Sequence, residues 1–156
     1  MKKDFIHKEI WLLTTMGGFQ RANLYDKDEP VNEKMRKKFR EALHGFIKEM
    51  ALTKYTKTVS EKEHIKNIES ISQFTADSDF SSLLNGKKLN FGISQKLLNL
   101  YLKYLWSMEL IETPTHFPVD RIIQEKLNKE AKKYNIPRQK IISWTKEIKN
   151  ESDYMK

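Results

Sequence analysis

Apolar positions recur at helical spacing along nearly the whole chain, broken by short polar, glycine- or proline-containing stops. From about Asp4 to Thr15, Phe5, Ile6, Ile10, Leu12 and Leu13 predict a first helix, with Gly17-Gly18 as its expected end. A polar connection from Asn23 to Glu29 follows. Pro30 suits the first turn of a second helix, where its missing N–H would have no partner anyway. In that helix Val31, Met35, Phe39, Leu43, Phe46 and Met50 make one apolar stripe, and Lys34, Arg36, Lys37, Lys38, Arg40 and Glu41 occupy the other face.

Ser60-Glu61-Lys62-Glu63 has the form of a capping box, and Ile65, Ile68, Ile71 and Phe74 mark one face of the helix it opens. A short helix is expected from about Asp77 to Asn85, with Phe80, Leu83 and Leu84 inward and Gly86 as its stop. The stretch from Ser94 to Met108 is different in kind. Leu97, Leu98, Leu100, Tyr101, Leu102, Tyr104, Leu105, Trp106 and Met108 surround it, which predicts a helix buried on most sides. Its polar residues Lys96, Asn99 and Lys103 share one stripe, which must face solvent or a site.

Thr113-Pro114-Thr115-His116-Phe117-Pro118 reads as a rigid extended linker, because each proline disfavours helix in the residue before it. A helix from about Asp120 to Tyr134 follows, with Ile122, Ile123, Leu127, Ala131 and Tyr134 expected inward. Pro137 starts a last helix carrying Ile141, Ile142, Trp144 and Ile148. The expected fold is therefore all-α: a compact single-domain bundle of about six to seven helices over residues 1–150, with a buried central helix at 94–108 and a frayed tail at 151–156.

Composition narrows the chemistry. The chain has no cysteine, which removes disulfides, Cys-based metal sites and a Cys nucleophile together, and fits a reducing, cytoplasmic setting. His7, His44, His64 and His116 lack metal-ligand spacing, so neither a metal nor a cofactor is expected. No apolar run is long enough to span a bilayer, and Met1-Lys2-Lys3-Asp4 lacks the apolar core of a secretion signal. The net charge of +8 favours acidic partners, nucleic acid first and an acidic protein surface second, for a monomer or small oligomer. The bland alternative is a lysine-rich solvated surface. The basic residues that a phosphate backbone would meet are Lys34, Arg36, Lys37, Arg40, Lys87, Lys88, Lys103, Arg121, Lys132, Lys133, Arg138 and Lys140.

The most specific chemistry is a lysine and an aspartate. Lys96 stands near the start of the buried helix, in Gly92-Ile93-Ser94-Gln95-Lys96. Asp120 stands at the start of the next helix, after Phe117-Pro118-Val119. A lysine kept neutral part of the time by burial is a nucleophile toward a sugar C1′ carbon, and a carboxylate beside it stabilises developing positive charge and moves protons. Asp120 also sits where a helix N-cap belongs, and Lys96 also reads as an ordinary surface lysine.

These motifs resemble the core of the helix-hairpin-helix DNA glycosylase superfamily over roughly residues 80–127. There a Gly-Val-Gly-x-Lys hairpin precedes a helix, and Pro-Val-Asp opens the next one. Ser94 stands where the family has its second hairpin glycine. The resemblance implies that Lys96 is the nucleophile of a glycosylase/AP lyase and Asp120 its catalytic aspartate. It also implies a flipped base, for which Tyr101, His116 and Phe117 are candidates to stack. Two functions follow as expectations: a base-excision glycosylase/lyase acting on DNA, or a non-enzymatic helical module binding nucleic acid or acidic protein through its basic faces.

Overall fold

The helix that organises the molecule is α4, Phe91–Ser107, whose residues from Phe91 through Leu102 are all buried. In the computed structural model, which describes residues 2–20, 22–27 and 32–155, five further α-helices surround or follow it. These are α1 (Lys2–Phe19), α2 (Glu33–Lys54), α3 (Glu61–Ala76), α5 (Arg121–Lys133) and the short α6 (Glu151–Tyr154). Two 3-10 turns, Ser81–Leu83 and Asn85–Lys87, lie between α3 and α4. The only extended pairing among the described residues is a single antiparallel bridge between Tyr25 and Leu84. The all-α single bundle with a central buried helix is as the apolar pattern requires. Pro30 and Val31, expected at the start of the second helix, lie outside the described residues.

α1 and α3 pack most extensively against α4, and α2 closes the core between them. Phe39, Leu43 and Ile47 of α2, Ile68 and Ile71 of α3, and Leu97, Leu98, Leu102 and Leu105 of α4 are fully enclosed. Each such side chain contributes about 1.5–3 kcal/mol by leaving water. Asn32 and Ser60 cap α2 and α3 by accepting the amides of Met35 and Glu63, and Asn90 caps α4 by accepting Ile93 N–H.

Gly17-Gly18 does not stop α1, which runs on to Phe19. The glycines sit inside the helix because it lies directly on α4. A Cβ at Gly18 would come within 2.5 Å of Leu97 Cδ2, and one at Gly17 within 2.9 Å of Leu100 Cδ1. The expected helix at 77–85 is instead the pair of 3-10 turns, with Leu83 and Leu84 inward and Gly86 in the left-handed region at φ 74°.

α4 begins three residues earlier than expected, so Gly92 through Lys96 are helical and no hairpin turn occurs there. Lys96 stands in the second turn, not the first. Gly92 is required by a close approach: a Cβ there would lie 1.8 Å from the Trp144 carbonyl oxygen. No long helix follows Pro137. Residues 136–143 run back beside α5, a turn carries Trp144 and Ile148 into the core, and α6 closes the chain.

α5 departs most from its expected packing. None of its residues is buried, and Ile122, Leu127 and the following Tyr134 are 62, 63 and 73% exposed. Its inner contacts are polar. Gln124 exchanges both amide bonds with the backbone of Ile142, and Asn128 does the same with Gln139. The segment expected as a frayed tail contains α6 and Tyr154, whose hydroxyl bonds Asn99 and His116.

Candidate active site

Three local features bring Lys96 and Asp120 together. The backbone geometry of α4 turns Lys96 toward the linker, the two prolines hold residues 114–118 extended, and Asp120 is the N-cap of α5, accepting Ile123 N–H at 2.9 Å. The Lys96 ammonium donates directly to Asp120 Oδ2. Lys96 is 5% exposed, so this is a buried ion pair. The Trp144 ring lies against the ammonium at 5.0 Å, a cation–π contact. Burial pushes the Asp120 carboxyl upward. The Lys96 hydrogen bond, the Ile123 and Ile122 amides and the Lys96 charge together outweigh it and hold Asp120 below its ordinary value.

A cleft of about 310 Å³ opens at the pair. Gly17 and Gln20 line it from the end of α1, Arg121, Ile122 and Glu125 from α5, and Trp144 from the C-terminal segment. Its volume is at the low end of what small-molecule sites occupy. Larger hollows lie elsewhere, about 860 Å³ between α2, α3 and residues 149–150, and about 660 Å³ beside Phe117 and Leu127. Neither holds a paired amine and carboxylate.

Beside Lys96 on α4 are two amides whose role the sequence pattern did not assign. Gln95 Nε2 donates to Val119 O and its Oε1 accepts Val119 N–H, at 3.1 and 3.3 Å. The two N–H groups of Asn99 are shared among Phe117 O, Gln95 Oε1 and the Tyr154 hydroxyl. The linker that carries Asp120 is thus held residue by residue from α4. The signal for Asn99 was present in its stripe with Lys96. Trp144 and Tyr154 had no such signal, because both sit in irregular or single-turn segments distant in sequence.

The three base-stacking candidates separate. Tyr101 is fully buried, with its hydroxyl on His7 Nδ1 at 3.0 Å and His44 Nε2 at 3.4 Å, and burial raises its pKa. This removes it as a surface on which a base could stack. His116 is half-buried between Tyr154 and Glu61, with each ring nitrogen hydrogen-bonded. Phe117 is 58% exposed and meets Trp106 edge-on.

The basic candidates are spread over several elements. Lys34, Arg36, Lys37 and Arg40 lie on α2, where Arg36 and Arg40 engage Glu33 and Tyr25 and Lys37 approaches Glu41. Lys87 pairs with Asp26 and Lys88 is exposed beside it; Lys103 is exposed near the end of α4. Within α5 Arg121 pairs with Glu125 and Lys133 with Glu130; Lys132, Arg138 and Lys140 are exposed, the last 3.7 Å from Glu147. Of all these, Arg121 alone lines the cleft. Among the described residues no group of three or more His, Asp or Glu side chains could hold a metal, and no helix is long and apolar enough to cross a membrane.

Fold and site together define a small, basic, all-helical protein with a buried lysine–aspartate pair at a narrow cleft. No protein-family model matches the chain, and no curated protein or solved structure gives a significant match.

Proposed function

We propose that this chain acts on DNA as a glycosylase/AP lyase, with Lys96 as the amine nucleophile and Asp120 as the carboxylate that handles its proton. The observation that carries this reading is the convergence of the two side chains on one cleft, from positions 24 residues apart. When a substrate parts the two, the Asp120 carboxylate is placed to handle the amine's proton. The neutral amine then attacks the sugar C1′ carbon. From a base-bearing nucleotide it expels the base, which leaves with a proton, and the C1′–O4′ bond then breaks to open the sugar ring, O4′ taking a proton; from an abasic site the aldehyde oxygen leaves as water. Either route gives a Schiff base. Loss of a C2′ proton then breaks the C3′–O bond, and the 3′-phosphate departs with the strand nicked.

The test is borohydride trapping on a duplex containing an abasic site. The parent should give a covalent adduct, and Lys96→Gln should abolish it while leaving salt-sensitive DNA binding nearly intact. Absence of an adduct across several lesions refutes the reading. A second reading, a non-enzymatic binder, is favoured by α5, which leaves Ile122 and Leu127 in solvent beside Lys126, Lys129 and Lys132. For a pure binder Lys96→Gln matters no more than any other loss of one positive charge.

A further inference from the structure

Two runs of hydrogen-bonded polar side chains meet in the core beside the ion pair, and the polarity of each can be assigned. The Lys54 ammonium can only donate, so Asn67 Oδ1 accepts it at 2.6 Å. Asn67 Nδ2 then donates to the Tyr55 hydroxyl at 3.1 Å, and Tyr55 passes its own proton to His64 Nδ1 at 2.8 Å. His64 is therefore neutral with its proton on Nε2. Its pKa is lowered to about 4, first by burial and then by the facing His116, in agreement with a neutral ring.

His64 Nε2 and Asn99 Oδ1 are both buried and unmatched by any hydrogen bond of ordinary geometry, and the Asn99 side chain is near enough to act on the His64 ring. One is a donor and the other an acceptor, so each is the other's complement. Beyond Asn99 the polarity continues. Asn99 Nδ2 donates to the Tyr154 hydroxyl at 3.0 Å, Tyr154 donates to His116 Nδ1 at 3.0 Å, and His116 Nε2–H is left for the Glu61 carboxylate at 3.2 Å. One run starts at a group that can only donate, the other ends at one that can only accept, and the two face each other at His64 Nε2 and Asn99 Oδ1.

We infer that this directional chain, through Asn99 and Gln95, is the device that positions Asp120 against Lys96. Asn99 is the junction: the amide that meets Tyr154 also holds Phe117 O and Gln95 Oε1, and Gln95 grips both backbone groups of Val119, the residue before Asp120. Gln95, Asn99 and Tyr154 are thus positioning residues. Docking of the C-terminal segment through Tyr154 is coupled to the state of the Lys96 amine. This deepens the lyase reading but rests only on the geometry of the pair.

The test reads the Lys96 amine directly, by reductive methylation with formaldehyde and borohydride and mass analysis of the peptide containing Lys96. The titratable groups sharing its cleft are Asp120, Arg121 and Glu125 of α5; α1 brings Gly17 and Gln20, and the C-terminal segment brings Trp144. Tyr154→Phe keeps the ring against Phe91, 5.4 Å between centroids, and removes only the hydroxyl. Loosening Asp120 withdraws what stabilises the ammonium, so burial favours the neutral amine. Lys96 should then label roughly threefold faster at fixed mildly alkaline pH, with its pH profile displaced to lower pH. Asn99→Leu should do the same or more. Thr115→Val removes a bond from the same linker to Val59 O that lies outside the chain, and should leave the profile in place. Nitrogen chemical shifts of His64 should show the Nε2–H form. An unmoved profile in folded Tyr154→Phe, an equal shift in Thr115→Val, or a proton on His64 Nδ1 overturns the inference. If labelling responds as expected but abasic DNA is never trapped, the lyase reading fails and the positioning role stands.

Discussion

Replacing Gly92 by alanine should unseat the whole C-terminal segment from α4. The added Cβ would stand 1.8 Å from Trp144 O and 2.8 Å from Ile148 O, and both obstacles are backbone rather than mobile side-chain ends. The segment must retreat by about 1.6 Å to restore ordinary van der Waals separation. That retreat breaks Gly92 N–H to Ile148 O and Asn90 Nδ2 to Thr145 O, each 3.0 Å long, at about 1 kcal/mol apiece. It also withdraws Trp144 and Ile148, 9 and 1% exposed, each worth about 1.5–3 kcal/mol when buried. Alanine returns about 1 kcal/mol of helix propensity to α4. The net loss is about 4 kcal/mol or more, limited above by the free energy of docking the segment. Urea unfolding followed together with tryptophan emission separates the two levels. The expected result is red-shifted emission before global unfolding, with Lys96 opened to amine reagents. The control is Gly17→Ala, whose Cβ meets only the flexible end of Leu100 and should cost less than about 1 kcal/mol. A Gly92→Ala protein as stable as the parent, with unshifted emission, would refute the close-approach argument.

The ion pair should be asymmetric to truncation. Asp120→Asn keeps the α5 cap but strands a nearly inaccessible ammonium, and should cost about 3–5 kcal/mol. Lys96→Met leaves a carboxylate that is 20% exposed and still bonded by Ile123 N–H, so it should cost less, and the double variant should cost less than the sum, by denaturant midpoints. Stability should fall as pH drops from 6.5 toward 4. His64 is held near 4 chiefly by burial, so the unfolded chain binds a proton in that window that the folded one refuses. The full effect is roughly 3 kcal/mol, with half-buried His44 adding a smaller amount in the same direction, and unchanged urea midpoints across the upper part of the window would contradict it. At lower pH, Asp120 adds a further loss as pH falls through its depressed value. Leu127→Ser should change stability by less than about 0.5 kcal/mol, because the side chain is 63% exposed; a loss of several kcal/mol would mean that α5 has an apolar partner in solution.

What could be read in advance follows from where each property is encoded. The burial of α4 was legible because an all-round apolar run has no solvent face to offer, whatever surrounds it. The caps Ser60 and Asp120 were legible because capping is settled within four residues. Glycine was ambiguous in principle: the same residue ends a helix or lets two helices touch, and only the presence of Leu97 and Leu100 opposite Gly17-Gly18 decides between them. The expected inward face of α5 failed for a related reason. Periodicity shows that a helix has an apolar side and says nothing about whether this chain supplies the surface to cover it.

The site was half legible for the same physical reason. Lys96 and Asp120 stood out as charges at helix starts, but what joins them is a set of amides and hydroxyls from α4, the linker and α6 that no local pattern connects. Ser94, Gln95, Lys96 and Asn99 are all buried within the most apolar helix of the chain. A buried polar group without a partner costs about 1–3 kcal/mol, so four of them in one and a half turns form a heavy burden unless they are arranged to answer one another. Gln95, Lys96 and Asn99 are so arranged, and they grip Val119, Asp120 and Phe117 at the end of the linker. A linker needed only to join α4 to α5 could be held by apolar packing alone. Holding it through directional bonds fixes the Asp120 carboxylate to one place beside one amine, which is the arrangement that amine chemistry requires and that mere connection does not.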